Sequence, residues 1–185
     1  MATDAEQAME EAAAGSTDVS GVMGVAAGEL TNKQLKEWCE GHAEPDSVKS
    51  LVFRGCVQLT SLAGVEKFAA LEQINCQYCY ALTDFKALGK CAELAQVTLN
   101  YVAGNYPTTD LESYCVGHGP PTKRETVDMD LLAPLKECKQ LKELNIQNSF
   151  GINEQTQMLL RQAVPGLKIK KSSYPSSSWT ALYAQ

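Results

Sequence analysis

The sequence predicts an α/β fold built as a solenoid, in which short strands of successive units stack into one parallel sheet behind a helical N-terminal cap. The first observation is a fixed period. Val48, Leu71 and Leu94 follow one another at 23-residue spacing, and Leu141 lies 47 residues beyond Leu94. The second is that the same offsets are filled within each unit. They hold Leu51, Phe53, Cys56 and Leu59; then Ile74, Cys76, Cys79 and Leu82; then Val97, Leu99 and Val102; then Leu144, Ile146, Ser149 and Ile152. A unit of this length lays down one short strand whose alternate side chains enter a shared core. No unit can bury that face alone, so neighbours must stack and the two ends need caps.

Each element follows from local chemistry. Thr31-x-x-Gln34 forms a capping box that opens a helix over 31–42, with Leu35, Trp38 and Cys39 on the face that can cover the first unit. Period-two alternation turns Leu51, Phe53, Ile74, Cys76, Val97, Leu99, Leu144 and Ile146 inward. Near the other end, Asn153 can cap a helix running to about Ala163. Pro165-Gly166 stops that helix before a last strand, Leu167-Lys168-Ile169.

The offsets, with Cys at the turn position (Cys56, Cys79), the Leu-Thr pairs Leu59-Thr60 and Leu82-Thr83, and a second Cys near the unit's end (Cys91, Cys138), resemble the leucine-rich repeat in its cysteine-containing form. The resemblance covers residues 48 to about 170. It implies a short parallel sheet lining a concave face and a non-catalytic protein–protein interaction or scaffold role in a multi-protein assembly. By family analogy that assembly is a ciliary or flagellar axonemal complex, in the cytoplasm or cytoskeleton. The same subclass includes ubiquitin-ligase substrate receptors, which supply the alternative function; residues 29–47 are too short for an F-box.

Charge and composition divide the chain. The formal net charge of −6 resides in residues 1–29, where Asp4, Glu6, Glu10, Glu11, Asp18 and Glu29 meet no Lys or Arg. Ala- and Gly-rich, with almost no large apolar residue before Leu30, residues 1–28 are expected to be an acidic disordered tail, because burial cannot offset their ordering entropy. Residues 29–171 form the repeat domain, and 172–185 a Ser-rich tail carrying Trp179. The N-terminal stretch has no basic region and no long apolar run, which disfavours secretory and mitochondrial targeting and leaves the cytosol as the expected compartment, with no membrane partner.

Seven cysteines in such a chain are expected to be reduced. Cys76-x-x-Cys79 has zinc-ligand spacing but lacks a second pair, and in this register both positions belong to packing, so no metal and no cofactor is expected. Catalysis has little to work with. His42 and His118 are the available imidazoles, and a Cys115–His118 dyad in a Gly-Pro-rich loop lacks a third group to orient it.

The third unit departs from the pattern. The repeat resumes in register at Leu135-x-x-Cys138-x-x-Leu141 after 24 extra residues, held at about 103–127 and containing Tyr106 and Tyr114. Such insertions map to loops on one face, often the binding face. Residues between the core positions point to solvent, and in the middle of the sheet they are Gln, Asn, Thr and Tyr. Arg54, Gln73, Asn75, Gln77, Tyr78, Gln96, Thr98, Asn100, Tyr101, Asn145 and Gln147, with Tyr106, Tyr114 and Trp179, are therefore the candidate partner contacts. Hydrogen-bonding groups and aromatic anchors with little fixed charge suit a protein partner. Nucleic acid is the weaker option, resting on the basic C-terminal end (Lys136, Lys139, Lys142, Arg161, Lys168, Lys170, Lys171).

Overall fold

The computed structural model describes residues 17–102, 131–146 and 154–170. These residues form an α/β structure around one parallel sheet with strand order β1-β2-β3-β4-β5-β6, so neighbours in the chain are neighbours in space. The strands are β1 (Thr17–Asp18), β2 (Ser50–Val52), β3 (Gln73–Asn75), β4 (Gln96–Thr98), β5 (Glu143–Asn145) and β6 (Lys168–Lys170). Their register is continuous. Leu51 pairs with Ile74, Ile74 with Val97, Val97 with Leu144, and Leu144 with Ile169. The 23-residue period is thus a pairing register, and β4 pairs directly with β5 across the long connection.

All eight residues expected to face inward do so, none more than 4% exposed. Behind them the chain returns through short 3-10 turns at Val65–Lys67, Lys86–Lys90 and Ala133–Glu137. These turns bury Val65, Leu88 and Leu135 at one equivalent position and Phe68, Cys91 and Cys138 at another. Each fully buried Leu or Phe contributes about 1.5–3 kcal/mol relative to exposure. Thiols settle onto backbone carbonyls of the preceding unit: Cys79 Sγ donates to the Phe53 carbonyl at 2.9 Å and Cys138 Sγ to the Leu88 carbonyl at 3.2 Å. The turns also pack closely at Gly89, where a Cβ would lie 2.7 Å from the Pro134 carbonyl oxygen. A side chain there would push the second and third units apart.

Among the described residues, elements already precede residue 29. Thr17 and Asp18 pair with Leu51 and Val52 as an extra edge strand. A short helix, α1 (Val19–Met23), and a 3-10 turn at Ala27–Glu29 then lead to Leu30. Val19 and Leu30 are fully buried, so this acidic stretch is anchored by two apolar side chains and by backbone pairing that composition does not reveal.

The cap helix α2 (Asn32–Gly41) starts as expected. Gln34 N–H donates to Thr31 Oγ1 at 3.4 Å, and Thr31 N–H donates to Gln34 Oε1 at 2.9 Å. Leu35 and Cys39 are buried, and Trp38 lies against Phe68 with ring centroids 5.5 Å apart. Asn32 ties this helix to the first unit by accepting the Thr60 and Ser61 N–H groups at 2.9 and 3.2 Å. At the far end, α3 (Glu154–Ala163) buries Leu160 and leads through Gly166 (φ 86) to β6. No helix among the described residues is long and apolar enough to cross a membrane.

Candidate partner-binding face

The open face of the sheet is set by the residues that alternate with the core. One row across the strands runs Ser50, Gln73, Gln96, Glu143 and Lys168; the next runs Val52, Asn75, Thr98, Asn145 and Lys170. Gln96 is exposed, and Gln73, Asn75, Thr98 and Asn145 are half-buried. Two ion pairs flank the middle of this face. Lys49 Nζ meets Glu72 Oε1 at 2.8 Å, and Lys170 Nζ meets Glu143 Oε1 at 2.7 Å. The hydrogen bond to Glu72 also raises the Lys49 pKa. What remains between the pairs is amide and hydroxyl.

Beyond the strand ends, a second set of equivalent positions lies 23 residues apart at Gly55, Tyr78 and Tyr101. All three occupy the left-handed region, with φ of 71, 62 and 58°. The turn is enforced by a backbone ladder in which Gly55 N–H donates to the Gln77 carbonyl at 2.8 Å and Tyr78 N–H to the Asn100 carbonyl at 3.0 Å. Glycine adopts this conformation without cost, whereas a tyrosine crowds its Cβ against the backbone. The two rings stack, with centroids 4.9 Å apart and planes inclined by 17°. Tyr80 meets Tyr78 nearly edge-on at 6.4 Å.

Other predicted contacts fare differently. Arg54 is exposed and Gln77 half-buried. Asn100 is corrected: it is only 9% exposed, and its carbonyl accepts the Tyr78 N–H. Tyr106, Tyr114, Gln147 and Trp179 lie outside the described residues, as do Cys115 and His118. Sequence reasoning missed Tyr80 and the left-handed turn. The available signal was Gly55, a turn residue standing at the position that Tyr78 and Tyr101 occupy in the next two units.

The cysteines are part of the packing. Cys39, Cys56, Cys76, Cys79, Cys91 and Cys138 are free thiols, each no more than 1% exposed. Burial, with smaller contributions from nearby charged groups, pushes the Cys39 and Cys91 thiols up to about 12 and Cys138 up to about 11, so they are protonated at neutral pH. Cys79 is held up by the hydrogen bond it shares with Cys56 and by burial. Among the described residues, no group of three or more His, Cys, Asp or Glu is placed to hold a metal ion. No protein-family model matches this chain, and no curated protein matches its sequence.

Proposed function

We propose that this chain is a non-catalytic leucine-rich-repeat interaction module that presents the open face of its sheet to a protein partner, as a subunit or scaffold of a larger assembly. The repeat reading is supported by strands recurring at 23 residues with Cys56 and Cys79 at their turns. The interaction reading is supported above all by Tyr78 and Tyr101. Two stacked tyrosines sit at a turn whose first member is glycine, and Tyr78 leaves 41% of its surface in water. A non-glycine residue in this region stores about 1–3 kcal/mol of backbone strain, and such strain concentrates at functional sites. Large aromatic side chains beside neutral hydrogen-bonding groups are the usual carriers of interface energy.

The test is pull-down of the full chain from native extract with mass spectrometry, followed by affinity measurement on the recovered partner. Family analogy directs the first search to axonemal components. Tyr78→Ala and Tyr101→Ala should each weaken binding by about 1–3 kcal/mol, roughly fivefold to 150-fold, while the circular dichroism spectrum is preserved. Wild-type affinity in both folded variants overturns the assignment of this face.

A further inference from the structure

We propose that the space over Gly55 is a receiving slot for one aromatic side chain of a protein partner, which enters there and extends the Tyr101–Tyr78 stack by one ring. The two tyrosine centroids are 4.9 Å apart, close to the ~4.7–4.9 Å between adjacent strands of a sheet. The rings therefore stack because their strands do, and the series continues at the same spacing towards the preceding unit. There the equivalent residue is Gly55. Its backbone has the same left-handed turn, and its N–H makes the next bond of the same ladder. A Cβ built on Gly55 meets nothing within 4 Å, so the place where a third ring would start is open.

Exposure agrees with this. Tyr78, the member beside Gly55, is exposed, whereas Tyr101, deeper in the series, is half-buried. Arg54, directly before Gly55, is exposed and opposes a cationic guest. A planar ring gains from stacking on an aromatic face what an aliphatic side chain does not. Tyr80 adds a further ring next to Tyr78.

This inference rests on the interaction reading above, and its test uses a probe that needs no partner. The full-length chain, labelled with nitrogen-15, is titrated with N-acetyl-tryptophanamide and, separately, with N-acetyl-leucinamide, and amide shifts are followed. The tryptophan amide should shift Gly55, Arg54 and Tyr78 in a saturable way and the leucine amide should not. Gly55→Tyr, which fills the slot from within at a φ that Tyr78 and Tyr101 already adopt, should abolish the shifts. Tyr78→Ala, which removes the wall, should abolish them too, and keeps the test decisive if Gly55→Tyr does not fold. Absent shifts, equal shifts with both amides, or shifts that persist in either folded variant overturn the slot. If the slot fails while Tyr101→Ala still weakens the partner, the face reading stands alone. If the amide binds while the partner ignores both tyrosine variants, the face reading is what falls.

Discussion

Two adjacent sets of repeat positions, one residue apart, behave in opposite ways. Cys56, Cys79 and Val102 are small, apolar in effect and no more than 1% exposed; Gly55, Tyr78 and Tyr101, their immediate predecessors, range from no side chain to a large ring and open onto solvent. The inner set is limited by volume, since a side chain there must fit between units whose strands are held at fixed spacing. The outer set answers only to the backbone, which asks for a left-handed residue and would be best served by glycine every time. Repetition therefore marks where packing decides, and its failure next door marks where something other than packing does.

The largest effect that can break this contrast is a cavity in the inner positions. Leu144, fully buried between Val97 and Ile169, joins the units on either side of the long connection. Leu144→Ala should destabilise by about 2–5 kcal/mol, because the stacked units cannot close fully on the gap. Gln96→Ala, exposed on the paired strand, should stay within about 0.5 kcal/mol of wild type. Urea midpoints measure both. A Leu144→Ala loss no larger than that of Gln96→Ala would mean that the units are not held by their shared core.

The same division explains what the sequence made legible. Strands β2 to β5 could be placed because Leu51, Ile74, Val97 and Leu144 recur among apolar neighbours, and the cap helix because Thr31 and Gln34 are chemically specific. β1 escaped. Thr17 and Asp18 join the sheet by backbone hydrogen bonding at its edge, an interaction indifferent to side chain, and the lone nearby anchors Val19 and Leu30 are too far apart in sequence to show a period. Asn100 escaped for a related reason: its offset matches that of exposed or half-exposed Arg54 and Gln77, but local chain path, not offset, decides exposure beyond the strand end. The open face was legible as a row of polar residues, while the left-handed turn was hidden by tyrosine, which does not advertise that conformation.

The thiols of the inner positions offer a second, chemical test. Burial raises Cys39 and Cys91 from 9.0 to about 12 and Cys138 to about 11. A thiol whose folded pKa is raised supports the fold fully below its unfolded value and loses that support as pH climbs towards the folded value. Stability should therefore decline from about pH 9 to about pH 12, and the urea midpoint should track it. Since the thiolate is the nucleophile, iodoacetamide at pH 8 should label these three residues slowly in the folded chain and rapidly in denaturant, as site-resolved mass spectrometry would show. Fast labelling of the folded protein would place these cysteines at an accessible surface and dissolve the contrast with the tyrosines.

The smallest effect sharpens it most. Tyr78→Ala and Tyr78→Gly both remove the ring and its stack on Tyr101, a contact worth about 0.5–1.5 kcal/mol. They differ in the backbone. Alanine keeps a Cβ at φ 62, whereas glycine restores what the preceding unit has at Gly55. The glycine variant should accordingly be more stable than the alanine variant by about 1 kcal/mol, bringing it close to wild type, while both lose partner affinity equally. Urea midpoints and binding on the same two proteins decide the matter. Equal stability would show that the turn imposes no strain on its tyrosine, and the structural reason for assigning it a role would be gone; a glycine variant that is stable yet fails to bind would show that the ring is held there against the preference of its own backbone.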